Sequence, residues 1–156
     1  MRRGPAIVPT RVREAARPAL AGRCREAGLH LTPQRQAIHQ ALAAAHDHPS
    51  PEAVYRRVRQ TMPSLSLATV YKTLEALVRL GLATELPATG KAKRYDANMD
   101  PHHHLVCSRC AAVRDYYSPA LDRLAAPARL PGFTAHRLSV QIHGLCKACA
   151  RAGTSR

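Results

Sequence analysis

The chain has 156 residues with 24 Lys+Arg against 10 Asp+Glu, a formal net charge of +14 that favours a polyanionic partner such as nucleic acid. That length holds one medium domain or two small ones, and small domains bury so little apolar surface that a bound metal is a common staple. No window approaches the ~18–20 continuous apolar residues of a membrane span and the N-terminus lacks a signal-peptide core, which argues against a membrane protein and points to the reducing cytoplasm.

Residues 1–16 hold Arg2, Arg3, Arg11 and Arg13 with Pro5 and Pro9 and no sustained apolar period, the pattern of a flexible basic arm. From about 17 to 28, Leu20, Cys24 and Ala27 share one helical face, which makes Cys24 a packing residue, and Gly28 is placed to end the helix. Thr32-Pro33 starts the next helix with a hydroxyl cap and a proline at its first position; Ile38, Ala41, Leu42 and Ala45 form its buried stripe. Ser50-Pro51 repeats that signal for a helix burying Val54, Tyr55 and Val58, which breaks before Met62-Pro63 and leaves His48 in the connection ahead of it.

Ser66 caps a further helix, Leu67 to Leu80, in which Val70, Leu74, Leu77 and Val78 fall at i, i+4, i+7 and i+8 and Gly81 marks the end. Its other face shows Thr69, Lys72, Thr73 and Arg79. Leu82 to Leu86, a turn-rich 87–91 and Lys93 to Asp96 read as two short strands joined by a basic loop. Helices followed by a basic hairpin make a winged helix over residues 17–97, and hydroxyls, Tyr71 and Lys72 at the start of the last helix suit a major-groove reader.

The remainder is predicted as a small α+β domain over 102–151. Leu105-Val106 and Val113 to Tyr117 suggest strands around a cysteine pair, Pro119 to about Ala128 a helix, and Phe133 to Leu145 a third strand. Cys107-x-x-Cys110 and Cys146-x-x-Cys149 supply four thiolates, the set that tetrahedral structural zinc needs, and a filled four-thiolate site has no open position for catalysis. A second constellation joins His102, His104, Asp96 and Asp115, to which His48 adds itself from across the domain boundary. On an extended segment His102 and His104 point together and His103 points away. Mixed imidazole and carboxylate donors suit ferrous iron or manganese, though zinc and nickel would also bind.

Leu31-Thr-Pro-Gln-Arg35, Ala68-Thr-Val-Tyr71, Arg94-Tyr-Asp96, His102-x-His104-x-x-Cys107-x-x-Cys110 and Gly144-Leu-Cys146-x-x-Cys149 resemble, in order and spacing, the ferric uptake regulator (Fur) family of bacterial metalloregulators over about residues 20–151. The resemblance implies a cytoplasmic homodimer with N-terminal winged helices and C-terminal α/β dimerisation domains, repressing operator DNA when a regulatory metal is bound. It implies structural zinc on Cys107, Cys110, Cys146 and Cys149, and regulatory Fe(II) or Mn(II) on His48, Asp96, His102, His104 and Asp115. Iron-sensing members usually carry glutamate where this chain has Asp96, whereas the peroxide-sensing PerR branch carries aspartate; by that resemblance His48 and His102 are oxidation-sensitive, and peroxide is the only small-molecule signal. The alternative within the family is an iron- or manganese-responsive uptake repressor (Fur/Mur-like).

The resemblance further places Tyr71 on bases beside Thr69 and Lys72, with Arg35, Lys91 and Lys93 on phosphates. An additional metal site of some members uses histidines where this chain has Pro101 and Leu138, so that site is not expected despite Asp122. His30, His39, His46, His136 and His143 are left as surface or packing residues. A zinc hydrolase or deaminase would need His-x-Glu and Pro-Cys-x-x-Cys, and both are missing, so no enzyme is expected. A metal store or zinc-stabilised module without DNA function is the third class, opposed by the predicted recognition helix and wing.

Overall fold

Three of the helices begin where a hydroxyl and a following proline or apolar run predict. The computed structural model describes residues 16–86, 93–124, 132 and 139–153. Helix α1 spans Ala16–Glu26, α2 Pro33–Ala43, α3 Pro51–Arg59 and α4 Leu67–Arg79. Thr32, Ser50 and Ser66 take extended backbone conformations and accept the N–H of the third residue on, so each helix start loses one orphan donor. Gly28 and Gly81 have φ of +63° and +66°, and the N–H groups of Leu29 and Leu82 reach back to the carbonyls of Cys24 and Leu77. Both are left-handed helix stops in which a glycine avoids the Cβ penalty.

The described residues divide between Met99 and Asp100 into two compact units. In the first, one core cluster takes Leu20 and Cys24 from α1, Ile38 and Leu42 from α2, Val54 and Val58 from α3, and Val70, Leu74 and Leu77 from α4. Strands β1, Thr84–Leu86, and β2, Arg94–Asp96, pair antiparallel with Glu85 opposite Tyr95, and Tyr95 is inside the cluster. This is the winged helix. The loop between the wing strands, 87–92, lies outside the described residues, as does the basic arm except for Ala16, which opens α1.

The second unit is a three-stranded sheet in the order β4-β3-β5. β3 is His103–Cys107, β4 Val113–Tyr116 and β5 Gln141–Gly144, with α5 at Pro119–Leu124 and α6 at Lys147–Arg151. β3 runs antiparallel to β4 and parallel to β5. The third strand expected over Phe133 to Leu145 is thus described as β5, ending at Gly144, and residues 133–138 lie outside the described set, as does the predicted helix beyond Leu124. The architecture is α+β, and among the described residues no helix is long and apolar enough to cross a membrane.

Candidate metal centres and nucleic-acid face

The four cysteines predicted as ligands converge, with all their sulfurs within 4.8 Å of one another. Sheet register does this. Cys107 ends β3 opposite Gly144 of β5, and two residues later Cys146 caps α6. Cys107 is followed by a tight turn in which Ala111 adopts a φ of +55° and donates to the Cys107 carbonyl, which swings Cys110 back toward the pair. Cys110 Sγ and Cys146 Sγ are 3.7 Å apart and all the cysteines are free thiols, so this is no disulfide. A zinc ion about 2.3 Å from each sulfur would set neighbouring sulfurs about 3.8 Å apart, which this spacing fits.

Backbone N–H groups aim at the sulfurs. Cys146 N–H lies 3.3 Å from Cys107 Sγ, and with the Cys110 N–H it pulls the Cys107 thiol down to about 6. The Cys149 N–H likewise lowers Cys146, whereas Cys149 shares a proton with Cys146 and is pushed up to about 12. Arg109 closes the knuckle by donating to the Cys149 carbonyl at 2.7 Å.

Imidazoles and carboxylates form one group in each unit. In the second unit, His104 on β3 stands opposite Asp115 on β4, and His102, two residues earlier, shares their face. His102 donates from Nδ1 to the Asp100 carbonyl at 2.7 Å, which leaves its Nε2 lone pair facing His104 Nε2 at 3.0 Å and Asp115 Oδ1 at 3.7 Å. A backbone acceptor on the far nitrogen is how proteins fix the ligating tautomer of a metal-bound histidine. Both imidazoles are buried, 1% and 0% exposed, which removes them from the class of inert surface histidines.

In the winged-helix unit His48 Nε2 lies 3.8 Å from Asp96 Oδ2, again with both side chains buried. His48 has a φ of +47°, a strained setting for a residue other than glycine and a hallmark of functional positions. The strain is held from several sides. Arg94 donates to the His48 carbonyl at 3.0 Å, Tyr95 N–H donates to the Pro49 carbonyl, and Arg57 grips Asp47 through both carboxylate oxygens, lowering the Asp47 pKa. The Asn98 N–H donates to Asp96 Oδ1 at 2.7 Å.

His103 is the residue that sequence reasoning passed over. It is 2% exposed on the opposite face of β3, accepts the Val140 N–H at Nδ1 and so presents its Nε2 proton to Asp122 Oδ1 at 3.1 Å. The strand alternation gave its direction, but its partners are 19 and 37 residues away. His39, also left unassigned, is 1% exposed in the winged-helix unit, and burial alone lowers its pKa.

Of the residues expected at DNA, Lys72 is exposed and Lys91 lies outside the described set. The others have protein partners. Arg35 donates to the His30 carbonyl, Thr69 shares its hydroxyl with Ser66 at 2.8 Å, Lys93 pairs with Glu85 across the wing at 3.1 Å, and the Tyr71 hydroxyl donates to Glu52 at 2.5 Å.

A model of the ferric uptake regulator family matches residues 26–143. The peroxide-responsive repressor PerR of Staphylococcus epidermidis is 33% identical over 130 residues, covering 83% of this chain and 87% of that protein. PerR of Staphylococcus aureus strain Mu50 is 35% identical over 128 residues, covering 80% and 85%. Among solved structures, the ferric uptake regulator from Pseudomonas aeruginosa with manganese is 27% identical with a TM-score of 0.68, covering 81% of this chain and 97% of that one. With the family model spanning most of its length and the winged helix and metal-ligand clusters in place, the chain belongs to the ferric uptake regulator family of metal-responsive transcription regulators.

Proposed function

We propose that this protein is a metal-dependent repressor that binds operator DNA as a cytoplasmic homodimer and senses peroxide. The observation that carries it is a histidine–carboxylate set in each unit, His48 with Asp96 and His102 with His104 and Asp115, whose lone pairs and buried charges suit a divalent cation. Neither set alone fills the roughly five or six positions that Fe(II) or Mn(II) takes, so one ion shared by all five side chains would link metal occupancy to the placement of the winged helices. Two carboxylates would also balance the charge of a divalent ion. Cys107, Cys110, Cys146 and Cys149 would hold zinc as a structural staple.

Support for the peroxide branch is Asp96, aspartate rather than glutamate, together with the 33–35% identity to proteins named peroxide-responsive repressors. When bound, ferrous iron would supply the one-electron chemistry with peroxide that manganese does not. By the same resemblance His48 and His102 are the imidazoles that would take up the added oxygen and lose their grip as ligands. Dimerisation is supported by β5, which has no described partner on its outer edge, and by exposed Leu105, Ile142 and Leu145 near it. Arg35, Thr69, Tyr71, Lys72, Lys91 and Lys93 would then face DNA, the cations exchanging their present partners for phosphates with a strong salt dependence.

The test loads the zinc-containing dimer with ferrous iron or manganese, adds peroxide anaerobically at low excess, and follows operator binding with peptide masses over His48 and His102. Loss of binding in the iron form alone, with one oxygen added to either histidine, is expected. Retained binding with unaltered histidines would leave the second reading, an iron- or manganese-responsive uptake repressor, which the likeness to the manganese-containing Pseudomonas aeruginosa structure favours.

A further inference from the structure

The first turn of α3 and the second turn of α4 meet at Glu52 and Tyr71, where the phenol hydroxyl lies 2.5 Å from Glu52 Oε1 and both side chains are part-exposed. Glu52 sits in the N-terminal turn of its helix, where the exposed N–H groups favour a carboxylate. Its pKa is lowered, first by the Tyr71 bond and then by Ser50, so at neutral pH it carries no proton to give. The hydrogen in this short, charge-assisted bond is therefore the phenol's, and the Tyr71 pKa is raised to match.

A phenol oxygen whose one proton is committed can only accept. The geometry points to Glu52 as the positioning residue that sets the hydrogen-bond polarity of Tyr71, making it a reader of exocyclic amino groups in the major groove. This rests on the DNA-binding reading above and deepens it. The partners left to such an oxygen are the amino groups of adenine and cytosine, whereas phosphate oxygens, guanine O6 and N7 and thymine O4 are all acceptors. The Glu52 charge adds to that choice, because it repels phosphate at close range and so discourages a backbone contact at this spot. Thr69, two residues earlier, has its hydroxyl engaged by Ser66, so Tyr71 and Lys72 are the polar groups of this turn best placed to discriminate.

The experiment selects sequences from a random duplex pool with the zinc- and manganese-loaded full chain, and repeats the selection with Tyr71→Phe and Glu52→Ala. Tyr71→Phe identifies the base position that the hydroxyl reads. Wild type should prefer adenine or cytosine on one strand there by roughly tenfold or more, a typical discrimination for a good base contact. Glu52→Ala removes the acceptor altogether, which a glutamine Oε1 would not, so the phenol proton is freed and the preference at that same position should relax or invert while the others stay intact. A Glu52→Ala profile identical to wild type, or one weakened evenly at every position, overturns the assignment, as does a Tyr71→Phe profile that changes nowhere. If wild type selects no sequence with or without manganese, the DNA-binding reading falls and takes this one with it.

Discussion

His104 and Asp115 are direct partners across the antiparallel β3–β4 pair, and His102, just ahead of β3 and two residues from His104, continues the alternation onto the same side. In this proposed ligand group His104 and Asp115 are set by the backbone hydrogen bonds of the sheet rather than by a flexible tether, which makes the pair stiff. Asp115 is the carboxylate of this group and its Oδ2 accepts from Tyr117. Asp115→Asn keeps the shape and removes the charge, so manganese affinity is expected to fall by roughly 100-fold or more, beyond the range typical of losing a supporting residue. Calorimetric titration with manganese checks this, with zinc content as the control: equal zinc and unchanged manganese affinity would remove Asp115 from the ligand set.

His48 combines backbone strain with a place in the proposed ligand set. Asparagine tolerates the left-handed region better than most residues, so His48→Asn should leave thermal stability without regulatory metal within about 1 kcal/mol of wild type. Manganese-dependent protection against unfolding should nevertheless vanish, because stabilisation by a ligand follows its affinity for the folded state. Paired thermal melts with and without manganese read both quantities. A variant still stabilised by manganese as strongly as wild type would show that His48 is not a ligand.

What the sequence made legible is what local chemistry dictates. Thr32, Ser50 and Ser66 announce helix starts, Gly28 and Gly81 announce stops, the two Cys-x-x-Cys spacings announce thiolate knuckles, and the His102/His104 alternation announces a shared face. The parallel pairing of β3 with β5 was not legible, since it joins residues 37 apart and depends on everything between them. For the same reason the sequence does not show the Tyr71–Glu52 bond or the His103–Asp122 clasp, each joining residues 19 apart that individually look solvent-facing, whereas the Lys93–Glu85 pair is a local contact across the predicted wing hairpin. Lys93 was expected on phosphate, and its present partner means that DNA would have to outcompete a carboxylate for it.

The thiol cluster carries a proton count that zinc must change. Cys149, pushed up to about 12, is protonated at neutral pH in the metal-free protein, and as a zinc ligand it would be a thiolate. Zinc binding at pH 7 is therefore expected to release at least one proton, so affinity rises with pH across the neutral range. Titration of the metal-free chain in buffers of different ionisation enthalpy gives the number directly. A heat independent of buffer would mean that the four sulfurs are not all bound as thiolates.

His39 offers a test of burial with no metal in it. Its Nδ1 has no hydrogen-bond partner among the described residues, and burial lowers its pKa below the ordinary 6.5. Below about pH 6.5 the unfolded chain binds a proton that the folded one refuses, so this residue's contribution is intact above that pH and is lost as pH falls toward the folded value. His39→Leu, of similar volume on the buried face of α2, removes the titration and a desolvated nitrogen together. The variant should match or exceed wild-type stability at pH 7.5 and gain progressively over it on acidification to pH 5.5. Because other histidines titrate in both proteins, the difference between the two urea-unfolding curves at each pH is the quantity to follow. A difference that stays constant with pH would mean that the imidazole charges inside the fold as readily as outside it.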